Sequence, residues 1–142
     1  MMKGIHHINI VVTNLKEAKD FFYHFGFTSK QKKRLKGEWL DSVTGLKDTD
    51  ASFISLEHKN SPVSIELLQY HYPIGSTDPH ISSPNQIGFR HMALEVDNIE
   101  EETERLTKKG IKFFSGIQTN PYGKKMCYFK GPDGIVMEIL EL

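Results

Sequence analysis

Two stretches of this chain repeat one pattern of residues, and this internal repeat limits the available folds more than any other feature. Each copy opens with a histidine and an alternating apolar run, HINIVV at residues 7–12 and HMALEV at residues 91–96. Each copy closes with a glutamate among apolar residues, SIELL at residues 64–68 and VMEIL at residues 136–140. A repeat that places a histidine and a glutamate at matching positions twice predicts two equivalent modules and a site to which both contribute.

Hydrophobic periodicity assigns the same order of elements to both copies. After the opening strand, Asn14 or Asn98 predicts a helix N-cap, and Gly26 or Gly110 predicts the end of that helix. Three strand candidates follow each helix, at residues 27–35, 51–57 and 63–70 in the first copy and at residues 111–118, 126–130 and 135–141 in the second. The sequence therefore predicts an α+β fold of two tandem βαβββ modules.

The boundaries of the modules follow from turn-forming residues. We expect a single domain over residues 1–142, with module one at about 5–72 and module two at about 86–142. The segment 73–85 is rich in proline, glycine and polar residues and is predicted to be a linker. Residues 37–50 make the first copy longer than the second, and we expect a loop there that flanks a pocket.

Composition excludes several classes of partner. Lys and Arg number 18, as do Asp and Glu, so the net charge of zero gives no support for nucleic-acid or membrane binding. Cys127 is the one cysteine, which rules out an intrachain disulfide and favours a reducing compartment, the cytoplasm. Because Cys127 lies in a short apolar strand, we expect a small core residue rather than a nucleophile.

Strand alternation predicts which polar side chains share a face. If the apolar neighbours of Glu66 and Glu138 face the helices, both glutamates and the strand-opening His7 and His91 point the other way. A lone strand histidine or glutamate is usually structural or solvated, but a matched quartet favours a common role. Carboxylates among apolar residues need compensation, which a divalent cation with imidazole ligands provides.

At this point the chain resembles the vicinal oxygen chelate superfamily, which includes glyoxalase I, methylmalonyl-CoA epimerase, extradiol dioxygenases, fosfomycin-resistance enzymes and bleomycin-binding proteins. The motifs that carry the resemblance are IHHI at 5–8, IELL at 65–68, FRHMAL at 89–94 and GPDGIVME at 131–138. The resemblance implies a cupped mixed sheet of eight strands around a central cavity. It also implies one divalent metal ion, Ni, Co, Zn or Mn rather than Fe, with His7, Glu66, His91 and Glu138 as ligands.

For function, the resemblance implies a metal-dependent lyase or isomerase of the lactoylglutathione lyase type. Such an enzyme chelates the adjacent oxygens of a small substrate and shifts a proton through an enediolate, with Glu138 as the principal catalytic carboxylate and Glu66 as its counterpart. Asn9, Tyr122 and Lys124 are the candidate substrate-binding residues. The resemblance further implies a homodimer.

Several readings of the reaction stay open. The glutathione-dependent family usually carries an asparagine four residues after the mid-chain glutamate, whereas this chain has Tyr70. The substrate is therefore expected to be another thiol adduct, another α-hydroxycarbonyl or an acyl-CoA. The alternatives are an acyl-CoA epimerase, an extradiol dioxygenase, a fosfomycin-type transferase and a non-catalytic antibiotic-binding protein. The full quartet distinguishes the chain from the last of these, whose members generally lack it.

Overall fold

The computed structural model describes residues 1–142, and the chain divides into two compact units, Met1–Ser76 and Thr77–Leu142. The first unit contains module one and the second contains module two. Each unit holds a four-stranded mixed sheet, with strand order β1-β4-β3-β2 in the first and β5-β8-β7-β6 in the second. The predicted α+β fold of two βαβββ modules is confirmed.

Module one places its first strand beside its last. Its elements are β1 (His7–Val11), α1 (Leu15–Tyr23), β2 (Thr28–Lys36), α2 (Glu38–Thr44), β3 (Asp50–Glu57) and β4 (Ser64–Tyr72). β1 pairs with β4 in parallel, while β4 pairs with β3 and β3 with β2 in antiparallel fashion. The histidine of β1 and the glutamate of β4 are thereby brought onto neighbouring strands.

Module two repeats this arrangement, and three of its four strands are shorter than their counterparts. Its elements are β5 (His91–Glu95), α3 (Ile99–Lys108), β6 (Gln118–Thr119), β7 (Lys125–Lys130) and β8 (Val136–Glu141). β5 pairs with β8 in parallel, and β7 joins β8 to β6 through antiparallel pairing. None of the helices is both long enough and apolar enough to cross a membrane.

The helices begin at the predicted caps and cover one face of each sheet. The Asn14 side chain accepts hydrogen bonds from two backbone amides of α1, and the Asn98 side chain accepts one from α3. The largest fully buried side chains of module one are Phe22, Leu56 and Leu67, and those of module two are Phe129, Ile99, Leu106, Met137 and Ile139. Because α1 packs against β3 and β4 and α3 packs against β8, the opposite face of each sheet is left for a site.

Two predictions about secondary structure were wrong. The segment 37–50 contains a short helix, α2, which has a single buried residue, Leu40, and therefore shows no helical period in the sequence. The strand predicted at 111–118 is reduced to β6, at Gln118–Thr119, and an isolated bridge between Phe113 and Phe129. The intervening Ser115 and Gly116 favour a turn over a paired strand.

Candidate functional site

The strand register determines which side chains share a face with Glu66. Glu66 on β4 lies opposite Asn9 on β1 and Ser55 on β3, and Ser55 lies opposite Gln31 on β2. Directly opposed residues point to the same side of a sheet. The result is a polar row across module one, on the face opposite α1.

The first histidine and glutamate form a pair on this face. His7 Nε2 lies 3.4 Å from Glu66 Oε2, and the two side chains are 40% and 27% exposed. His7 and Glu66 come from adjacent parallel strands and are two residues out of register, so both project from the same side of the sheet. Module one thus presents an imidazole and a carboxylate together in a half-open environment.

Module two forms the matching pair in a drier environment. His91 Nε2 lies 3.0 Å from Glu138 Oε2, and the two side chains are 33% and 9% exposed. Glu138 is the only charged residue that the whole chain buries. A buried carboxylate needs a compensating charge, so this pair has a stronger requirement for a cation than the first.

The donor chemistry of both pairs fits a divalent metal ion. Neither Glu66 nor Glu138 contacts a lysine or an arginine, so the imidazole is the sole ion-pair partner of each carboxylate. Within its module, neither pair belongs to a group of three or more His, Cys, Asp and Glu side chains that could hold a metal ion. Each module therefore supplies two of the four predicted ligands.

His6 supports the first histidine. Strand alternation predicts that His6 points to the opposite face from His7, but β1 begins only at His7, and His6 Nδ1 instead lies 2.9 Å from His7 Nδ1. A histidine that binds a metal through one ring nitrogen usually donates a hydrogen bond from the other. With His7 Nε2 directed at Glu66, His6 is in position to accept the proton of His7 Nδ1.

Tyr128 supports the second histidine, and the sequence analysis missed it. Tyr128 on β7 lies directly opposite Glu138, and its ring centroid is 5.0 Å from that of His91. Burial, followed by the nearby charge of Glu138, raises the pKa of the phenol, so Tyr128 stays neutral. The alternation of Met126 and Tyr128 with the buried Cys127 was the signal that could have revealed it.

The three predicted substrate-binding residues differ in placement. Asn9 lies in the polar row beside Glu66, and its side chain is exposed and has no protein partner. Tyr122 is 93% exposed, in a turn before β7, where the Asn120 side chain accepts hydrogen bonds from the backbone of Tyr122 and Lys124. No hydrogen bond or ion pair joins the side chains of Tyr122 and Lys124 to the His91–Glu138 pair.

Two βαβββ modules, each with a His–Glu pair on the face opposite its helix, define a class of small proteins built by duplication. The model of the Glyoxalase/Bleomycin resistance protein/Dioxygenase superfamily matches residues 4–139, and the chain belongs to this superfamily.

Related proteins align with this chain over nearly its whole length. It is 29% identical to the uncharacterized protein YwkD of Bacillus subtilis (strain 168), covering 99% of this chain and 98% of the relative. It is 27% identical to the uncharacterized protein YaeR of Escherichia coli (strain K12), with 99% and 97% covered. The crystal structure of a glyoxalase family protein from Bacillus cereus superposes with a TM-score of 0.90 at 27% identity, covering 99% and 95%.

Proposed function

We propose that the chain is a metal-dependent lyase or isomerase of the glyoxalase type, acting on a small substrate with oxygens on adjacent carbons. The observation that carries this proposal is the recurrence of one His–Glu pair on the open face of each module. Two carboxylates and two imidazoles form a formally neutral donor set around a divalent cation, which suits Ni²⁺, Co²⁺, Zn²⁺ or Mn²⁺. The proposed ligands are His7, Glu66, His91 and Glu138.

The proposed reaction moves a proton between neighbouring carbons of the substrate. A divalent cation bound at such a site supplies Lewis-acid chemistry, which makes the C–H beside a chelated oxygen more acidic. A carboxylate then takes the proton from one carbon and returns it to the next. We assign this transfer to Glu138, because its burial limits exchange of the proton with water, and we assign the supporting role to Glu66.

The substrate class follows from the same chemistry. A hemithioacetal of an α-ketoaldehyde fits, because its isomerisation to the thioester of an α-hydroxy acid needs only that proton shift. Tyr70 stands where glutathione-dependent relatives usually carry asparagine, which favours another thiol adduct. Asn9, Tyr122 and Lys124 are proposed to contact the substrate, in a homodimer that works in the cytoplasm.

Metal content per chain tests the proposal directly. Plasma mass spectrometry should find about one transition-metal ion per untagged wild-type chain, since four ligands make one site. We expect His91→Ala to lose the metal, because it removes a ligand. His80→Ala is the matched control, since His80 is an exposed histidine of the same compact unit that lies outside the pair, and it should keep the metal.

Activation by different metals then discriminates between the reactions. Activation of hemithioacetal isomerisation by Ni²⁺ or Co²⁺ supports the glyoxalase type, while proton exchange on an acyl-CoA supports an epimerase. A requirement for Mn²⁺ with K⁺ favours a fosfomycin-type transferase, and Fe²⁺ favours a ring-cleaving oxygenase. If metal-free protein takes up none of these ions on titration, the enzyme proposal fails and a non-catalytic antibiotic-binding protein replaces it.

A further inference from the structure

Module one contains a polar cleft that the proposed chemistry does not use. Its volume is about 460 Å³, which is within the usual size range of small-molecule sites. The cleft lies where the β3–β4 hairpin turn meets the start of β1. Its lining includes His6, Thr28, Glu57, His58, Lys59 and Ser64.

The strand register places this cleft beside the proposed metal ligands. His7 lies opposite Ser64, and Glu57, the residue after Leu56 in the β3–β4 pairing, lies opposite Thr28 on β2. His6, the residue before His7, also lines the cleft, so the cleft starts beside His7 and extends across the sheet. Strands are spaced by about 4.8 Å, so the three steps from β1 to β2 carry the cleft to roughly 14 Å from the strand that bears His7.

One wall of the cleft is rigid and presents a hydrogen-bond donor. His58 Nδ1 accepts a hydrogen bond from the Asn60 amide at 3.1 Å, so the proton of the neutral ring is on Nε2. The ring packs against Phe27, with centroids 5.2 Å apart. Gly26, which has φ +83°, also lies close to the ring, and a Cβ there would come within 3.2 Å of His58 Nε2. Packing thus fixes this imidazole before any ligand arrives.

The charges of the cleft leave one cation without a partner. Glu57 is neutralised by Lys30, whose ammonium lies 2.6 Å from Glu57 Oε1. Lys30 is the extra residue at an irregularity in the β2–β3 register, and such bulges redirect side chains. Lys59 is exposed and makes no ion pair or hydrogen bond. Its histidines left aside, the cleft therefore carries one surplus positive charge, that of Lys59.

We propose that this cleft binds a carboxylate at the end of the substrate's arm, so that the preferred substrate is an anionic thiol adduct. The inference rests on the proposed function, and it deepens that function by naming the part of the substrate that module one recognises. A single surplus charge matches a monoanionic carboxylate better than a phosphate dianion. Lys59 supplies the charge, while Thr28 and His58 supply neutral donors for the same group.

Three hemithioacetals that differ only in terminal charge test the proposal. They are formed from one α-ketoaldehyde with mercaptopropionate, mercaptopropanol or aminopropanethiol. A charged hydrogen bond contributes about 1.5 kcal/mol or more, so we expect kcat/KM to be about tenfold higher for the carboxylate than for the alcohol. The amine should be the poorest of the three, and the preference should weaken with salt.

Variants of single lysines locate the source of that preference. We expect Lys59→Gln to reduce the carboxylate-to-alcohol ratio to about one, mainly through KM. Lys47→Gln is the matched control: it removes the same charge from another exposed and unpaired lysine of module one, and it should keep the ratio. If Lys59→Gln keeps the ratio as well, the carboxylate is bound elsewhere and the proposal is wrong.

Binding to metal-free protein gives a readout that is independent of turnover. Mercaptopropionate should shift the backbone amide resonances of residues 57–61, 63 and 64 in wild type and in Lys47→Gln, but not in Lys59→Gln. Inorganic phosphate should shift them less at equal concentration; a larger shift with phosphate overturns the assignment to a carboxylate.

The two proposals can fail separately. Metal uptake and turnover of the alcohol adduct, without a preference for the carboxylate or any amide shifts, reject the cleft and keep the function. Amide shifts at the cleft without metal uptake reject the function and keep the cleft.

Discussion

The two His–Glu pairs have the same residues at matching positions but different surroundings. Glu66 is 27% exposed and lies in a polar row, whereas Glu138 is 9% exposed. Opposite Glu66 stand Asn9 and Ser55, and the corresponding neighbours of Glu138 are Ala93 and Tyr128. A duplicated module can thus retain one His–Glu pair while the side chains around it change.

From this difference we propose different roles for the two modules. A carboxylate shielded from water keeps the proton that it takes, while a carboxylate beside open polar groups is better placed to help hold a substrate. Module two has the shielded carboxylate, and module one has the polar row and the adjacent cleft. We therefore assign proton transfer chiefly to module two and substrate recognition chiefly to module one.

The largest expected effect separates the two glutamates. Glu138→Gln keeps the size of the side chain and an oxygen for the metal but removes the base, so we expect kcat to fall by about a hundredfold or more. Glu66→Gln should lower kcat by about tenfold or less, with a larger part of its effect in KM. Steady-state kinetics on metal-loaded variants of equal metal content measure both.

Equal metal content is the control for that experiment, because a lost metal mimics a lost base. If Glu66→Gln lowers kcat as much as Glu138→Gln does, burial does not determine which glutamate is the base. The proposed assignment of proton transfer to module two is then wrong.

The second prediction measures the burial of module two without any metal. Cys127 lies on β7 beside Tyr128, and burial, followed by the charge of Glu138, raises the pKa of its thiol from 9.0 to about 11. Only the thiolate reacts, so alkylation at pH 8 should be about a hundredfold slower than that of an ordinary thiol. The rate should then rise about tenfold per pH unit up to pH 10, measured by mass spectrometry on the intact protein.

Unfolded protein is the internal control, since Cys127 is the one cysteine and should react there at the ordinary rate. The thiol of the unfolded chain ionises near pH 9, while the thiol of the folded protein stays protonated up to about pH 11. The free energy of unfolding therefore falls as the pH rises from 9 towards 11. Rapid alkylation of the folded protein at pH 8 would show that the strands around Glu138 open readily.

Much of the fold was predictable from the sequence, because each module repeats strong local signals. The caps at Asn14 and Asn98 are confirmed, as are the four strands that carry His7, Glu66, His91 and Glu138. Alternation also placed each histidine on the same face as its glutamate, because a period of two residues leaves only two choices.

The supporting residues were not predictable, because they depend on contacts across strands or outside them. His6 lies before β1, so alternation gives no rule for its side chain. Tyr128 contacts His91 because of the way in which β7 pairs with β8 and β8 with β5, and the sequence does not reveal this register. The cleft depends on the conformation of a turn and on the redirected Lys30, neither of which has a periodic pattern.

The smallest expected effect comes from these two supports, which act on the histidines by different means. Both contact their histidine through a ring, but only His6 adds a hydrogen bond, between its Nδ1 and that of His7. Phenylalanine keeps an aromatic ring and removes the polar atom in both cases. We therefore expect His6→Phe to weaken metal binding about tenfold and Tyr128→Phe to change it by less than about twofold.

Competition titration with a chromophoric chelator measures the metal affinity of both variants. Tyr128→Ala removes the ring as well, and we expect it to weaken metal binding about tenfold. A loss of secondary structure in the circular dichroism spectrum of a variant would identify a folding defect rather than a loosened ligand. If Tyr128→Phe weakens the metal as much as Tyr128→Ala does, the phenol rather than the ring supports His91. The two modules would then orient their histidines in the same way, through a polar atom, and their difference would reduce to burial alone.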